Sequence, residues 1–317
     1  MKLAFLYAGQ GSQHAGMGRD LYEAYPAFRR VFDAAALDFD LKTTCFDDPD
    51  GVINETQYTQ PCMVAFAAGM TALLFEQGLR PAYAAGLSLG EYSALQAAGV
   101  FDAKTAIELT AFRGKAMAGA AAGIPCGMTA VLGLERDALQ ACCDEAGRQG
   151  LGVVQISNYN CPGQMSIGGQ QAAVDACAGL AKAAGAKRCI PLKVSGPFHT
   201  SLMHPAGDAL AGRFASVNFG LMAFPVLFNC LGREKAPSDS IADLLVRQVQ
   251  SSVYMEDSIR RLAELGVDTA IEIGPGKTLS GLVRKTVGSA IACYPVETAA
   301  ELEALAATLK GEAHAAE

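Results

Sequence analysis

The sequence predicts an α/β protein in which a parallel-sheet domain is interrupted by a smaller ferredoxin-like domain. Three observations predict it. The chain opens on an unbroken apolar strand, Leu3 to Ala8, that runs through glycines into a helical stretch, the pattern of a buried parallel strand and its crossover. Ala84 to Leu95 repeats the strand–turn–helix order around one serine. Between Gly127 and Leu192 the hydrophobic pattern reads βαββαβ, the ferredoxin-like order.

The first strand ends in Gly9-Gln10-Gly11-Ser12-Gln13, and a helix is predicted near Asp20 to Ala36. A dinucleotide fingerprint fails there because His14 stands where the third glycine belongs. Gln10 either closes a plain turn or presents its side-chain amide to a crevice at the end of the strand. Residues 40–58 read as polar and irregular, and Thr59 to Gly78 as a long buried helix. Its apolar core, Pro61 to Phe75, is interrupted by Gly69 and Thr71 and is too short to span a bilayer.

Ala84 to Leu95 carries Gly86-Leu87-Ser88-Leu89-Gly90 between a small-residue strand and the helix Glu91 to Ala98. This is the G-x-S-x-G pattern of a nucleophile elbow. A strained turn holds the serine, and bulk two residues before or after it would collide with neighbouring backbone. The helix start favours developing negative charge. An ordinary helix-capping serine is the competing reading. Asp102 then caps a helix over Ala103 to Ala120 that carries Arg113. Arg113 reads as a surface residue or as a buried carboxylate receptor, and the local pattern favours the surface.

A hinge at Ala120 to Pro125 leads into the small domain: strands Gly127–Leu132, Val153–Asn158, Gln164–Gly168 and Lys187–Leu192, with helices Glu135–Arg148 and Gln170–Ala184. The chain returns through Ser195-Gly196-Pro197-Phe198-His199 into a helix over Ser201 to Ser216. A strand (Pro225–Asn229), helices (Ile241–Gln250, Met255–Leu265) and a strand (Thr269–Ile273) follow. The turn Gly274-Pro275-Gly276-Lys277-Thr278 lacks the first glycine of a phosphate loop, since position 271 is Ile271. It starts a helix, Leu279–Thr286, before a last strand, Ile291–Pro295, and a helical tail from Ala299 that frays at its end. The expected domains are 1–123 with 195–317, and an insert over 124–194.

Composition narrows the function. With 51% hydrophobic and 18% charged residues the chain is globular, and its net charge of −7 argues against nucleic acid as a partner. No secretory or membrane-spanning stretch is read, so the expected location is the cytoplasm. The ten cysteines form no C-x-x-C pair and read as small apolar residues of a reduced compartment, neither a disulfide frame nor a metal site. Histidine is scarce: His14, His199, His204 and His314. His199, fixed in turn chemistry after Gly196-Pro197, is the best base for Ser88, with a lone buried histidine as the alternative. None of the carboxylates between them looks like a triad acid at a strand end, which points to a dyad whose histidine is oriented by an amide or main-chain oxygen. The insert lies between Ser88 and His199 in sequence, so the pair is expected to face across a crevice between domains.

Taken together, Gly9-Gln10-Gly11-Ser12-Gln13, Gly86-Leu87-Ser88-Leu89-Gly90-Glu91-Tyr92, Arg113 and Gly196-Pro197-Phe198-His199 closely resemble the malonyl-CoA:acyl carrier protein transacylases. Leu245-Val246-Arg247-Gln248 and Glu272-Ile273-Gly274-Pro275-Gly276 fit the same family, and the resemblance runs from Lys2 to about Val296. It implies an α/β-hydrolase-like large domain with a ferredoxin-like insert. It makes Ser88 the nucleophile that carries malonyl as an ester and His199 its base. Gln248 becomes the residue whose main-chain carbonyl orients His199, and Gln10 and Leu89 become the oxyanion hole. Arg113 becomes the clamp for the free malonyl carboxylate, which reverses the local reading, and Met117, Leu87 and Phe198 line the acyl site. Many members carry histidine before the nucleophile, where this chain has Leu87. Phe198 matches the malonyl-type pattern, whose bulky ring leaves little room for a 2-methyl branch. The implied partners are malonyl-CoA as substrate, with no bound cofactor, and an acidic, phosphopantetheinylated acyl carrier protein, with no nucleic acid and no membrane. Lys182, Lys187, Arg188, Lys193, Arg284 and Lys285 are the candidate docking residues, each read equally well as solvated surface charge.

Overall fold

The computed structural model of the chain describes residues 1–315, with side chains through residue 309. β1 (Leu3–Tyr7) is wholly buried and leads into α1 (Arg19–Ala24) and α2 (Pro26–Ala34). One helix was expected in place of these two. Tyr25 between them is extended, with φ −120° and ψ 113°, because a proline ring disfavours helical backbone in the residue before it. Pro26 itself suits a first helical turn. α3 (Leu41–Phe46) forms in the stretch expected to be irregular. It is short, and it is started by Asp40, whose Oδ1 accepts from the Thr43 N–H at 3.1 Å. α4 (Thr56–Glu76), β2 (Tyr83–Gly86), α5 (Gly90–Ala97) and α6 (Ala103–Ala121) follow.

β3 (Cys126–Leu132), α7 (Arg136–Arg148), β4 (Val154–Cys161), β5 (Gln164–Gln170), α8 (Gln171–Ala183) and β6 (Arg188–Pro191) come next, in the expected βαββαβ order. After a 3-10 turn at Ser201–Met203 the chain forms α9 (His204–Phe214), β7 (Val226–Phe228), β8 (Arg233–Glu234), α10 (Ile241–Val249) and β9 (Val253–Tyr254). It ends with α11 (Met255–Glu264), β10 (Thr269–Ile273), α12 (Thr278–Val287), β11 (Ala292–Val296) and α13 (Ala299–Ala315). The fraying expected beyond α13 falls outside the described residues.

Contacts separate the chain into two compact units. The first comprises Met1–Phe112, Gly220–Val226 and the chain from Leu262 onward. Its parallel sheet runs β11-β10-β1-β2. Tyr7 is level with both Gly86 and Ile273, and Ile273 with Val296, so the turns after all four strands leave one edge of the sheet. That carboxyl edge is where open α/β sheets gather their functional groups. α4 is long and apolar enough to cross a membrane, yet 83% of its most apolar stretch is buried inside the protein, as befits a core helix with no polar face.

The second unit comprises Arg113–Phe219 and Leu227–Arg261. Its sheet runs β6-β3-β5-β4 with antiparallel neighbours, the ferredoxin-like strand order. Val131, Leu139, Cys143, Ile156, Ile167, Val174 and Cys177 form its core with α7 and α8. The unit is larger than the insert expected over 124–194, because later segments bond onto the same sheet. β9 pairs in parallel with β4, Asn158 opposite Val253. The Ser252 hydroxyl donates to the Ile156 carbonyl at 2.6 Å, and the Ser201 N–H to Gln155 Oε1 at 2.7 Å. Arg136 clasps Asp257 through two bonds of 3.1 and 2.8 Å. Neither two-residue strand, β8 or β9, was expected from sequence.

Candidate active site

The elbow forms at the carboxyl edge of the first unit's sheet, between β2 and α5. Ser88 has φ 54°, in the left-handed region that L residues seldom adopt. The two flanking glycines are required by contact. A Cβ on Gly86 would lie 2.0 Å from the Gly90 carbonyl carbon, and one on Gly90 would lie 2.3 Å from the Tyr7 carbonyl oxygen. The turn is closed by the Gly90 N–H donating to the Leu87 carbonyl at 3.0 Å and the Glu91 N–H to the Ser88 carbonyl at 3.1 Å. Leu87 is half-buried and Leu89 buried. Leu89 is the N-cap residue of α5, so its N–H points from a helix start, where backbone donors meet anions.

The turn after β1 packs on this elbow. A Cβ on Gly9 would sit 2.7 Å from the Leu87 carbonyl oxygen, and the Leu87 N–H donates to the Tyr7 carbonyl at 3.0 Å. Gln10 follows, half-buried, with its side-chain amide donating to Thr56 Oγ1 at the start of α4 at 3.1 Å. The side chain therefore anchors the turn to α4, a contact that sequence spacing does not reveal. Farther along the same edge, Glu272 starts α12. Its carboxylate accepts from the Leu279 N–H at 2.8 Å, the Ser280 N–H at 2.7 Å and the Ser280 hydroxyl at 2.5 Å. Glu297 ties two of the turns together, accepting from the Gly276 N–H at 3.0 Å and bonding His14 Nε2 at 2.5 Å. That bond raises the His14 pKa.

The second unit brings three of the expected residues into direct contact. Arg113, His199 and Gln248 are all buried, at 0%, 4% and 0% exposure, which overturns the surface reading of Arg113. His199 Nδ1 lies 2.8 Å from the Gln248 carbonyl oxygen. A carbonyl only accepts, so Nδ1 carries the proton and Nε2 keeps its lone pair. Arg113 Nη2 donates to the Gln248 side-chain Oε1 at 2.9 Å. Burial, and then the Arg113 guanidinium, push the His199 pKa down to about 4, against a smaller upward pull from the Gln248 and Ser251 main chain. The imidazole is thus neutral and basic at Nε2 at neutral pH.

His199 also has positive φ, 60°. The approach to it is pinned on the ferredoxin-like sheet. A Cβ on Gly168 would meet the Thr200 methyl at 3.3 Å and the Phe198 carbonyl oxygen at 3.6 Å, and one on Gly196 would meet the Phe198 ring at 2.7 Å. Thr200 Oγ1 donates to the Pro197 carbonyl at 2.6 Å. Phe198 is buried, and so is Met117, one helical turn from Arg113 on α6. Lys182, Lys187, Arg188 and Lys193 are exposed around the α8–β6 connection of the second unit, and Arg284 and Lys285 are exposed on α12 of the first. Among the described residues no cluster of His, Cys, Asp or Glu is arranged to hold a metal ion.

Comparison with known proteins places this geometry in a family. The acyl transferase domain family matches residues 4–315. A malonyl CoA-acyl carrier protein transacylase of Bacillus subtilis is 40% identical over 313 residues, covering 98% of each chain. The crystal structure of a malonyl CoA-acyl carrier protein transacylase from Clostridium perfringens superposes with a TM-score of 0.95 at 35% identity, covering 100% of this chain and 99% of that one. A malonyl-transacylase solved in complex with its type II PKS acyl-carrier protein superposes with a TM-score of 0.92 at 36% identity, covering 97% and 100%. With nearly the whole chain matched in sequence and in fold, this protein belongs to the malonyl CoA-acyl carrier protein transacylase family of acyl transferases.

Proposed function

We propose that the protein moves malonyl from coenzyme A to the phosphopantetheine thiol of acyl carrier protein by a ping-pong route through Ser88. Ser88 Oγ attacks the thioester carbonyl of malonyl-CoA while His199 Nε2 takes its proton. The oxyanion of the tetrahedral intermediate accepts hydrogen bonds from Leu89 and Gln10. The carbon–sulfur bond then breaks, and the coenzyme A sulfur leaves with the proton held on His199. The carrier thiol repeats the sequence in reverse roles: it gives its proton to His199, attacks the ester, and Ser88 Oγ departs with that proton. The proposed route uses no bound cofactor, and its proposed location is the cytoplasm.

The observation that carries the malonyl reading is Arg113, a wholly buried guanidinium bonded to the residue that also holds His199. A fixed buried cation suits an acyl group ending in a free carboxylate and offers nothing to a neutral one. The pathway we propose for the transferred malonyl group is fatty acid synthesis, on the similarity to the malonyl CoA-acyl carrier protein transacylases. The similarity to a type II PKS transacylase makes a polyketide carrier the second reading. Intact mass measured after mixing with malonyl-CoA should show one malonyl adduct, absent from Ser88→Ala and lost when carrier is added. In Arg113→Ala, acylation from malonyl-CoA should fall about 100-fold or more relative to acetyl-CoA. Free malonate with no malonyl-carrier would instead indicate a thioesterase.

A further inference from the structure

We infer that the Gln248 side chain is a specificity-positioning residue: its Oε1 holds the Arg113 guanidinium while its main-chain oxygen holds His199, so one residue sets both the carboxylate receptor and the base. The inference rests on the malonyl reading above and extends it to a group that reading leaves without a role. Gln248 lies in the last turn of α10. Carbonyls of a last helical turn lack intrahelical partners, and that of Gln248 is the one His199 Nδ1 reaches, at 2.8 Å. Its side chain is wholly buried and reaches Arg113, 135 residues away in sequence, at 2.9 Å.

The chemistry of an amide matters here. A glutamate of the same shape would also accept from Arg113, but as an anion it would neutralise the guanidinium and compete with the substrate carboxylate. An apolar side chain would leave the charge in place and lose the bond that fixes the plane of the fork. Glutamine alone among the three orients the cation and leaves its charge for the acyl group. Because the base hangs from the same residue, a shift of Gln248 that loosens one function loosens the other. Discrimination between malonyl and neutral acyl groups therefore depends on a side chain that need not touch the substrate.

The experiment compares Gln248→Glu and Gln248→Met with wild type in single-turnover acylation by malonyl-CoA and by acetyl-CoA, read by intact mass. Both substitutions keep the main-chain carbonyl. In Gln248→Glu the malonyl-to-acetyl rate ratio should fall at least tenfold, with the loss appearing mainly as a raised half-saturating concentration of malonyl-CoA. In Gln248→Met the ratio should fall severalfold. An unchanged ratio in both variants, or an equal loss for the two acyl groups in a variant that keeps the wild-type circular dichroism and unfolding temperature, overturns the inference. A wild-type protein that takes no malonyl group at all would instead overturn the underlying function, before any variant is considered.

Discussion

His199 is neutral in the fold because burial and Arg113 disfavour its charge, and its lone pair is on Nε2 because the Gln248 carbonyl claims the proton of Nδ1. The consequence is a base that stays competent in mild acid. The acid limb of kcat/KM for acylation should fall well below 6.5, the ordinary imidazole value, toward about 4. A limb at or above 6.5 in a pH–rate profile would refute this. Stability carries the same sign. The unfolded imidazole binds its proton near 6.5 and the folded one near 4, so this group leaves stability unchanged above the first value and reduces it as pH falls between them. Much at this scale was legible beforehand, since G-x-S-x-G, a scarce histidine and glycine-bounded turns are local signals. The Gln248 side chain on Arg113 was not. Contacts that bridge such a span of chain leave no periodicity, and a buried arginine has no local pattern that separates it from an exposed one.

Elements were read well where the pattern is long and poorly where chemistry at one residue decides. The split of α1 from α2 follows from one proline at position 26, and α3 from one aspartate at position 40. β9 exists only because β4 offers it an edge, and two residues carry no propensity to announce it. α12 illustrates an element whose start is set from elsewhere. Glu272, buried at the end of β10, satisfies two N–H groups and a hydroxyl at the entry to that helix. Glu272→Ala should cost about 3 kcal/mol by stranding those donors, with Glu272→Gln recovering part of it. Chemical denaturation measures both, and a change within about 0.5 kcal/mol for the alanine variant would show that water replaces the carboxylate.

For the whole molecule, the α/β class and the ferredoxin-like order could be read because each rests on alternating strand and helix patterns. The extent of the second unit could not, since Ser201, Ser252, Val253 and Asp257 join it by individual bonds that no composition shift marks. Net charge is also a property of this scale. The chain carries −7, so an acidic carrier is repelled at long range and must be drawn by local basic groups. Reversing Arg188 and Lys193 to glutamate should raise the KM for carrier protein severalfold at low salt, leave that for malonyl-CoA near wild type, and lose its effect in high salt. Steady-state kinetics across ionic strengths decide it, and an unchanged carrier KM would remove these residues from the docking surface.

Besides Asp48, the described residues with left-handed backbone that are not glycine are Ser88 and His199. Glycine at 88 would relax about 1 kcal/mol of local backbone cost and delete the hydroxyl in the same change. Heat tolerance and chemistry are therefore opposed at that position. A laboratory selection that rewards survival at high temperature alone would favour a sturdier, inert protein, and engineering this scaffold calls for an activity gate at every round.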